Sequence, residues 1–124
     1  MLEPVSPRHT VEKIGGTSIA NTEAVLKNVF LREHTDADPY NRVFVVSAYA
    51  GMTDKLLEHK KTGAPGVFAQ YAGAESDWAW GDALTKLAED MIAKNADVLA
   101  DPASRRLADG FVRDRIEGVR NCLL

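Results

Sequence analysis

The run Val43-Phe44-Val45-Val46 constrains this chain more than any other feature. Its residues are β-branched or aromatic, so an extended strand suits them. It is apolar on both faces, which fits a central, parallel strand covered by helices on both sides. Thr10 to Ile14 is a second short run with β-branched residues, ended abruptly by Gly15-Gly16, and reads as the first strand. Between the two, Asn21 or Thr22 can cap a helix, with Glu23 in its first turn where the helix dipole favours an anion. Val25, Leu26, Val29 and Phe30 recur at helical spacing and give that helix one buried stripe. Asp36 to Asn41, with its Asp-Pro step, reads as a loop. Strand, glycine turn, helix, strand is the βαβ rhythm of an α/β domain.

Beyond Gly51, Thr53 or Asp54 can start a second helix that runs to about His59, and Thr62 to Gly66 is a turn. Trp80, Leu84, Leu87, Met91 and Val98 fit one helical face. Asp101-Pro102 is a helix start, with the aspartate as cap and proline at the first helical position. Leu107, Phe111 or Val112, Ile116, Val119 and Leu123 carry the last helix, which reaches Leu124 with no glycine, asparagine or proline to stop it. Residues 1–9 read as a disordered leader and 10–124 as one unit, without internal repeats.

Composition narrows the possible functions. The 124 residues allow at most one domain. A net charge of -3, with basic and acidic residues interspersed, gives no electrostatic case for nucleic acid. The single cysteine, Cys122, rules out an internal disulfide, so a reducing compartment and a buried or inert thiol are expected. The leader contains Glu3 and two prolines and no apolar stretch, unlike a signal peptide. No segment approaches the roughly 20 apolar residues that span a bilayer, so no membrane partner is expected, and the location expected is cytoplasmic. His9, His34 and His59 show no ligand spacing, so no metal site is expected. Trp78 and Trp80 read as core or interface packing, and the charges from Arg105 to Glu117 as a solvated helix face.

Two segments could carry chemistry. Lys13-Ile14-Gly15-Gly16-Thr17-Ser18 closes the first strand. Two glycines let the backbone turn tightly and bring its N–H groups close to a phosphate. Lys13 adds a point charge beside them, and Thr17 and Ser18 add hydroxyls. Neither the nucleotide P-loop nor a dinucleotide fingerprint is present. A Gly-Gly turn with a solvated lysine explains the same residues. Ser47-Ala48-Tyr49-Ala50-Gly51-Met52-Thr53 follows the strongest strand. In open α/β sheets ligands bind at the carboxyl ends of strands, and Ser47 and Thr53 could donate to a carboxylate there. A tight strand-to-helix connection with Thr53 as cap explains that loop equally well.

Together, Lys-x-Gly-Gly-Thr-Ser and Val-Val-Ser-Ala-x-x-Gly-x-Thr resemble the N-terminal signature of aspartate kinases, spacing included. Those enzymes belong to the amino acid kinase family, an α/β/α sandwich around a mostly parallel sheet. The stretch from Tyr40 to Asp82 is similar to the aspartate kinases associated with ectoine synthesis. The resemblance covers most of the chain from about residue 10. It implies ATP, carrying Mg2+, and L-aspartate as substrates, and transfer of the γ-phosphoryl group to the side-chain carboxylate to give 4-phospho-L-aspartate. It implies that Lys13 stabilises the phosphoryl group in flight, with Ile14, Gly15 and Gly16 lining the phosphate site. Ser47 and Thr53 would hold aspartate, with Thr17 and Ser18 lining the same region. A homo-oligomer is a further implication for the complete enzyme.

The family's later Gly-Glu segment, its nucleotide-binding lobe and its regulatory ACT domains have no counterpart among these residues. The fold expected is therefore the N-terminal part of that sandwich, truncated, helix-rich and inactive alone. Two alternatives stay open: another amino acid kinase, for acetylglutamate or glutamate, and a non-catalytic remnant acting as an interaction module. The Thr17-Ser18 continuation and the Ser47 to Thr53 loop favour aspartate.

Overall fold

The computed structural model describes residues 9–32, 40–73 and 77–124. Apart from His9 the expected leader lies outside those residues, as do Asp36 and Asp38 of the expected loop. The described chain is α/β and rich in helix, with one small parallel sheet. It divides into two compact units, Met1–Ala50 and Gly51–Leu124.

In the first unit, β1 (Thr10–Ile14) pairs in parallel with β2 (Arg42–Val46), Thr10 opposite Arg42 and Ile14 opposite Val46. The crossover holds α1 (Gly16–Ile19), α2 (Thr22–Val25) and a π-helical turn, Leu26–Phe30. Of the two expected caps, Asn21 is the one used: its Oδ1 accepts from the Ala24 amide at 3.2 Å. Thr22 is buried instead, and its hydroxyl donates to the Ile19 carbonyl at 2.9 Å. Ile14, Ile19 and Val25 form the core, with Val29, Phe30, Phe44 and Tyr49 packed against them. Phe30 meets Phe44 edge-on, with ring centroids 4.7 Å apart.

Strand residues alternate between faces, so the register puts Glu12, Ile14, Arg42 and Phe44 on the side where Phe30 packs. Val11, Lys13, Val43 and Val45 share the other side. The expectation that helices cover β2 on both sides does not hold among the described residues. Val43 and Val45 are each 50% exposed and Val11 is 72% exposed. The reason is topological, since a single crossover can lie over only one face of the pair it joins.

The second unit opens at Gly51, whose φ of 81° suits a residue without a Cβ. Gly51 takes the cap position of α3 (Met52–Leu56), with no side-chain cap, so Thr53 sits inside the helix and is not its cap. The helix also stops short of the expected His59, because Leu57 leaves helical geometry. His59 instead holds the turn that follows: its Nδ1 accepts from the amides of Lys61 and Thr62 at 3.3 and 3.2 Å. A bridge between Glu58 and Pro65 closes this turn, which the sequence places at Thr62 to Gly66. Gly66 is then boxed in by backbone, and a Cβ there would stand 2.5 Å from the Lys55 carbonyl oxygen and 2.7 Å from that of Leu57.

Three helices complete the unit: α4 (Val67–Gly73), α5 (Asp77–Val98) and α6 (Pro102–Leu123). Trp80, Leu84 and Leu87 of the expected α5 face are buried with Val67, and Met91, Ile116 and Leu123 pack on them. Arg120 reaches Thr85 at 2.9 Å and Asn95 reaches Asp109 at 3.0 Å, so α5 and α6 run antiparallel. Asp101 caps α6 as expected, accepting from the Ser104 amide at 2.8 Å, with Pro102 first in the helix. Within α6 the core residue is Val112, while Phe111 and Leu107 are exposed. Of the alternatives offered for Trp78 and Cys122, the buried ones fail: Trp78 is 82% exposed and outside the core, unlike Trp80, and the Cys122 thiol is exposed. Among the described residues no helix is long and apolar enough to cross a membrane.

Candidate phosphate and substrate site

The carboxyl ends of β1 and β2 lie side by side because the strands are parallel and adjacent. The Ser47 amide donates to the Ile14 carbonyl at 2.9 Å, extending the ladder from the last residue of β1 to one residue past β2. This brings the Gly-Gly turn and the serine loop together. A Cβ on Gly16 would lie 3.5 Å from Ser47 Oγ and 3.9 Å from the Ala48 carbonyl oxygen. Gly15 is extended and precedes α1, and a Cβ there would meet open space. The first amides of any helix have no acceptor within it, so the turn directs N–H groups outward at Gly16 and Thr17.

Lys13 is exposed on the uncovered face of the sheet, opposite Val45. Thr17 and Ser18 are exposed on α1. Ile14 is 5% exposed and belongs to the core, so it can serve a ligand only through its backbone. The structure thus brings together Lys13, Gly15, Gly16, Thr17, Ser18 and Ser47 within one unit. Thr53 lies in the other unit, exposed on α3. An ammonium, outward amides and two hydroxyls suit phosphate oxygens, and an exposed serine hydroxyl suits a carboxylate. Among the described residues, no group of three His, Cys, Asp or Glu side chains is placed to share a metal ion.

Two charged residues beneath the site carry no role in the sequence reading. Arg42 is 97% buried at its side chain, with 3% exposed, and lies over the Phe44 ring at 4.5 Å. Its Nε donates to Glu12 Oε1 at 2.6 Å, its Nη2 to Glu12 Oε2, and its Nη1 to the Phe30 carbonyl at 3.3 Å. Glu12 also accepts from Arg32 at 3.2 Å and from the Thr10 hydroxyl at 3.1 Å. The hydrogen bonds from Arg42 are the chief reason its carboxyl is lowered from the usual 4.5 to about 2. Partial burial opposes that shift, and the Thr10 hydroxyl and Arg32 charge assist it. The visible signal is Arg42, a lone charge heading an otherwise apolar strand, whereas Glu12 is inconspicuous beside Lys13.

Among the described residues of the Gly51–Leu124 unit, a shallow cleft of about 190 Å³ lies between Lys55, Gly66, Gln70, Lys86 and Asp90, and a smaller one between Pro65, Ala69, Gln70, Gly73 and Ala79. Asp90 pairs with Lys55 at 2.5 Å and with Lys86 at 3.2 Å, so its lysines are already matched by an anion. Neither cleft is lined by any of the expected site residues.

Two adjacent parallel strands that end in a glycine turn and a small-residue loop have the arrangement in which open α/β sheets hold ligands, at the carboxyl ends of the strands. Comparison with known proteins narrows the class. The chain is 48% identical over 115 residues to the aspartate kinase Ask_Ect of Stutzerimonas stutzeri (strain A1501). The match takes in 93% of this chain and 24% of that enzyme, so the chain spans about a quarter of the length of the curated relative it matches. The resemblance to aspartate kinases therefore extends along nearly the whole chain, beyond the two motifs. No family model matches the chain, and no solved structure matches it at a significant level.

Proposed function

We propose that this chain supplies the phosphate-and-aspartate end of an aspartate kinase. The contact between the Gly15-Gly16 turn and Ser47, at the ends of adjacent parallel strands, carries the reading. An aspartate side chain, with a solution pKa near 4, is ionised at neutral pH and needs no general base to attack. The obstacle is electrostatic: an anionic nucleophile must approach an anionic phosphate. Positive charge and oriented N–H groups lower that barrier. In this reading Lys13 meets the charge on the transferring phosphoryl group, and the amides of Gly15 and Gly16 hold its oxygens. Ser47 and Thr53 take the aspartate carboxylate, an assignment supported by the resemblance of their loop to the kinase signature. The similarity of residues 40–82 favours the subgroup associated with ectoine synthesis.

The test is a chimaera in which residues 10–124 replace the matching segment of Ask_Ect. Aspartyl phosphate, trapped as its hydroxamate, should form with ATP and aspartate. Lys13→Ala in the chimaera should lower kcat by roughly 10²–10³, with little change in the KM for aspartate. A folded chimaera without activity, or a Lys13→Ala variant with near-normal kcat, would overturn the assignment.

A further inference from the structure

Glu12 and Arg42 stand out because they spend charge where β-strands ordinarily spend apolar side chains. Arg42 is almost wholly withdrawn from solvent and stacked on Phe44. Its five-donor fork is directed at two elements at once, the Glu12 carboxylate on β1 and the Phe30 carbonyl at the end of the π-helical turn. Glu12 in turn has four donors from Arg42, Arg32 and Thr10.

Such a fork and carboxylate match in only one alignment. Slipping β2 by two residues keeps its apolar face inward but moves Arg42 about 7 Å along the strand, out of reach of Glu12. Val43, Val45 and Val46 are half-exposed and discriminate poorly between such registers, so on β2 the alignment is left to Arg42 and to the edge-on contact of Phe44 with Phe30. The same slip would carry Ser47 away from Ile14 and Gly16, whose contacts with it depend on the register. We propose that Glu12 and Arg42 are positioning residues: their pairing sets the β1–β2 register and so holds the Gly15-Gly16 turn against the Ser47 loop. They touch no reactant and act through those loops. The inference rests on the phosphate-site reading for its functional consequence, but the geometric claim can be judged without it.

The experiment uses the 124-residue chain, with Arg42→Lys and Glu12→Gln as mild variants. Arg42→Lys keeps the charge and loses the fork, and Glu12→Gln keeps the shape and loses the charge. Amide NMR spectra report the Ser47–Gly16 proximity, and titration with inorganic phosphate reports the shifts of Gly15 and Gly16. In folded Arg42→Lys, the Ser47–Gly16 cross-peak should weaken and the phosphate dissociation constant should rise about tenfold, the weight of one charge-assisted hydrogen bond. Glu12→Gln should show the same pattern to a lesser degree. If both variants lose stability yet keep the cross-peak and the phosphate affinity, the pair is merely structural and the proposal falls. If phosphate leaves Gly15 and Gly16 unmoved in the unaltered chain while the variants still lose the cross-peak, the positioning role stands and the phosphate-site reading fails.

Discussion

Glu12 behaves as a permanently ionised residue over the ordinary pH range, because Arg42 hydrogen bonds hold its carboxyl near 2 in place of 4.5. A group whose folded pKa is lowered stabilises the fold fully above its unfolded value and loses that contribution as acid protonates it. The stabilisation from Glu12 should thus be complete above pH 4.5 and fade as pH falls from there toward 2. Melting temperature measured across that window should drop more steeply in the unaltered chain than in Glu12→Gln, which has no carboxyl to titrate. Parallel curves would show that the pair contributes nothing to the acid limb. Lys13 lies next in the strand but on the opposite face, so the two charges do different work. One is locked under the sheet by its partners, and the other is exposed where a ligand can reach it.

The crossover between the strands is assembled from short pieces: one turn of α1, one of α2 and a π-helical turn. Helices this short gain little from their own hydrogen bonds and depend on caps and packing. Asn21→Ala should cost about 1 kcal/mol by denaturant unfolding, whereas Asn21→Gly should cost only a few tenths. Equal losses would mean that the side-chain cap is irrelevant. The elements that could be read from the residues alone were those with strong local signals. β1 was bounded by Gly15-Gly16, β2 by its valine run, and α6 by Asp101-Pro102. Where local signals compete, residue type alone does not decide the element's start. Thr53 is a good cap by residue type, but Gly51 can adopt φ of 81° and starts the helix earlier. α4, from Val67 to Gly73, carried no cap and too short a period to be seen. In α6 the stripe could run through Phe111 or Val112, and only the tertiary fold, which buries Val112 and leaves Phe111 exposed, decides between them. The candidate site was legible for the same reason as β1, since its glycines are punctuation. The Glu12–Arg42 pair was not, because 30 residues separate its members and only the register makes them neighbours.

At the scale of the molecule, the Gly51–Leu124 unit rests on a small core, with Leu84 fully buried and Leu87 nearly so. Leu84→Ala should cost 2–5 kcal/mol, roughly the range for a leucine truncated in a packed interior. Phe111→Ala, on the exposed side of α6, should fall within about 0.5 kcal/mol of the unaltered chain. Urea unfolding of the two variants would compare them directly, and a costly Phe111→Ala would mean that the outer face of α6 is covered by something. The Met1–Ala50 unit buries one side of its sheet and leaves valines on the other, so its stability depends on a few side chains and the polar pair beneath them. Gly66, finally, has a consequence for how tolerance to mutation would look along this chain. Three carbonyl oxygens, of Asp54, Lys55 and Leu57, converge on the space that any side chain would need there. Backbone cannot step aside as a side-chain tip can, so even alanine should be rejected. A saturation-mutagenesis map would score Gly66 as forbidding as a catalytic position, and ranking sites by intolerance alone would mistake a crowded corner of backbone for chemistry.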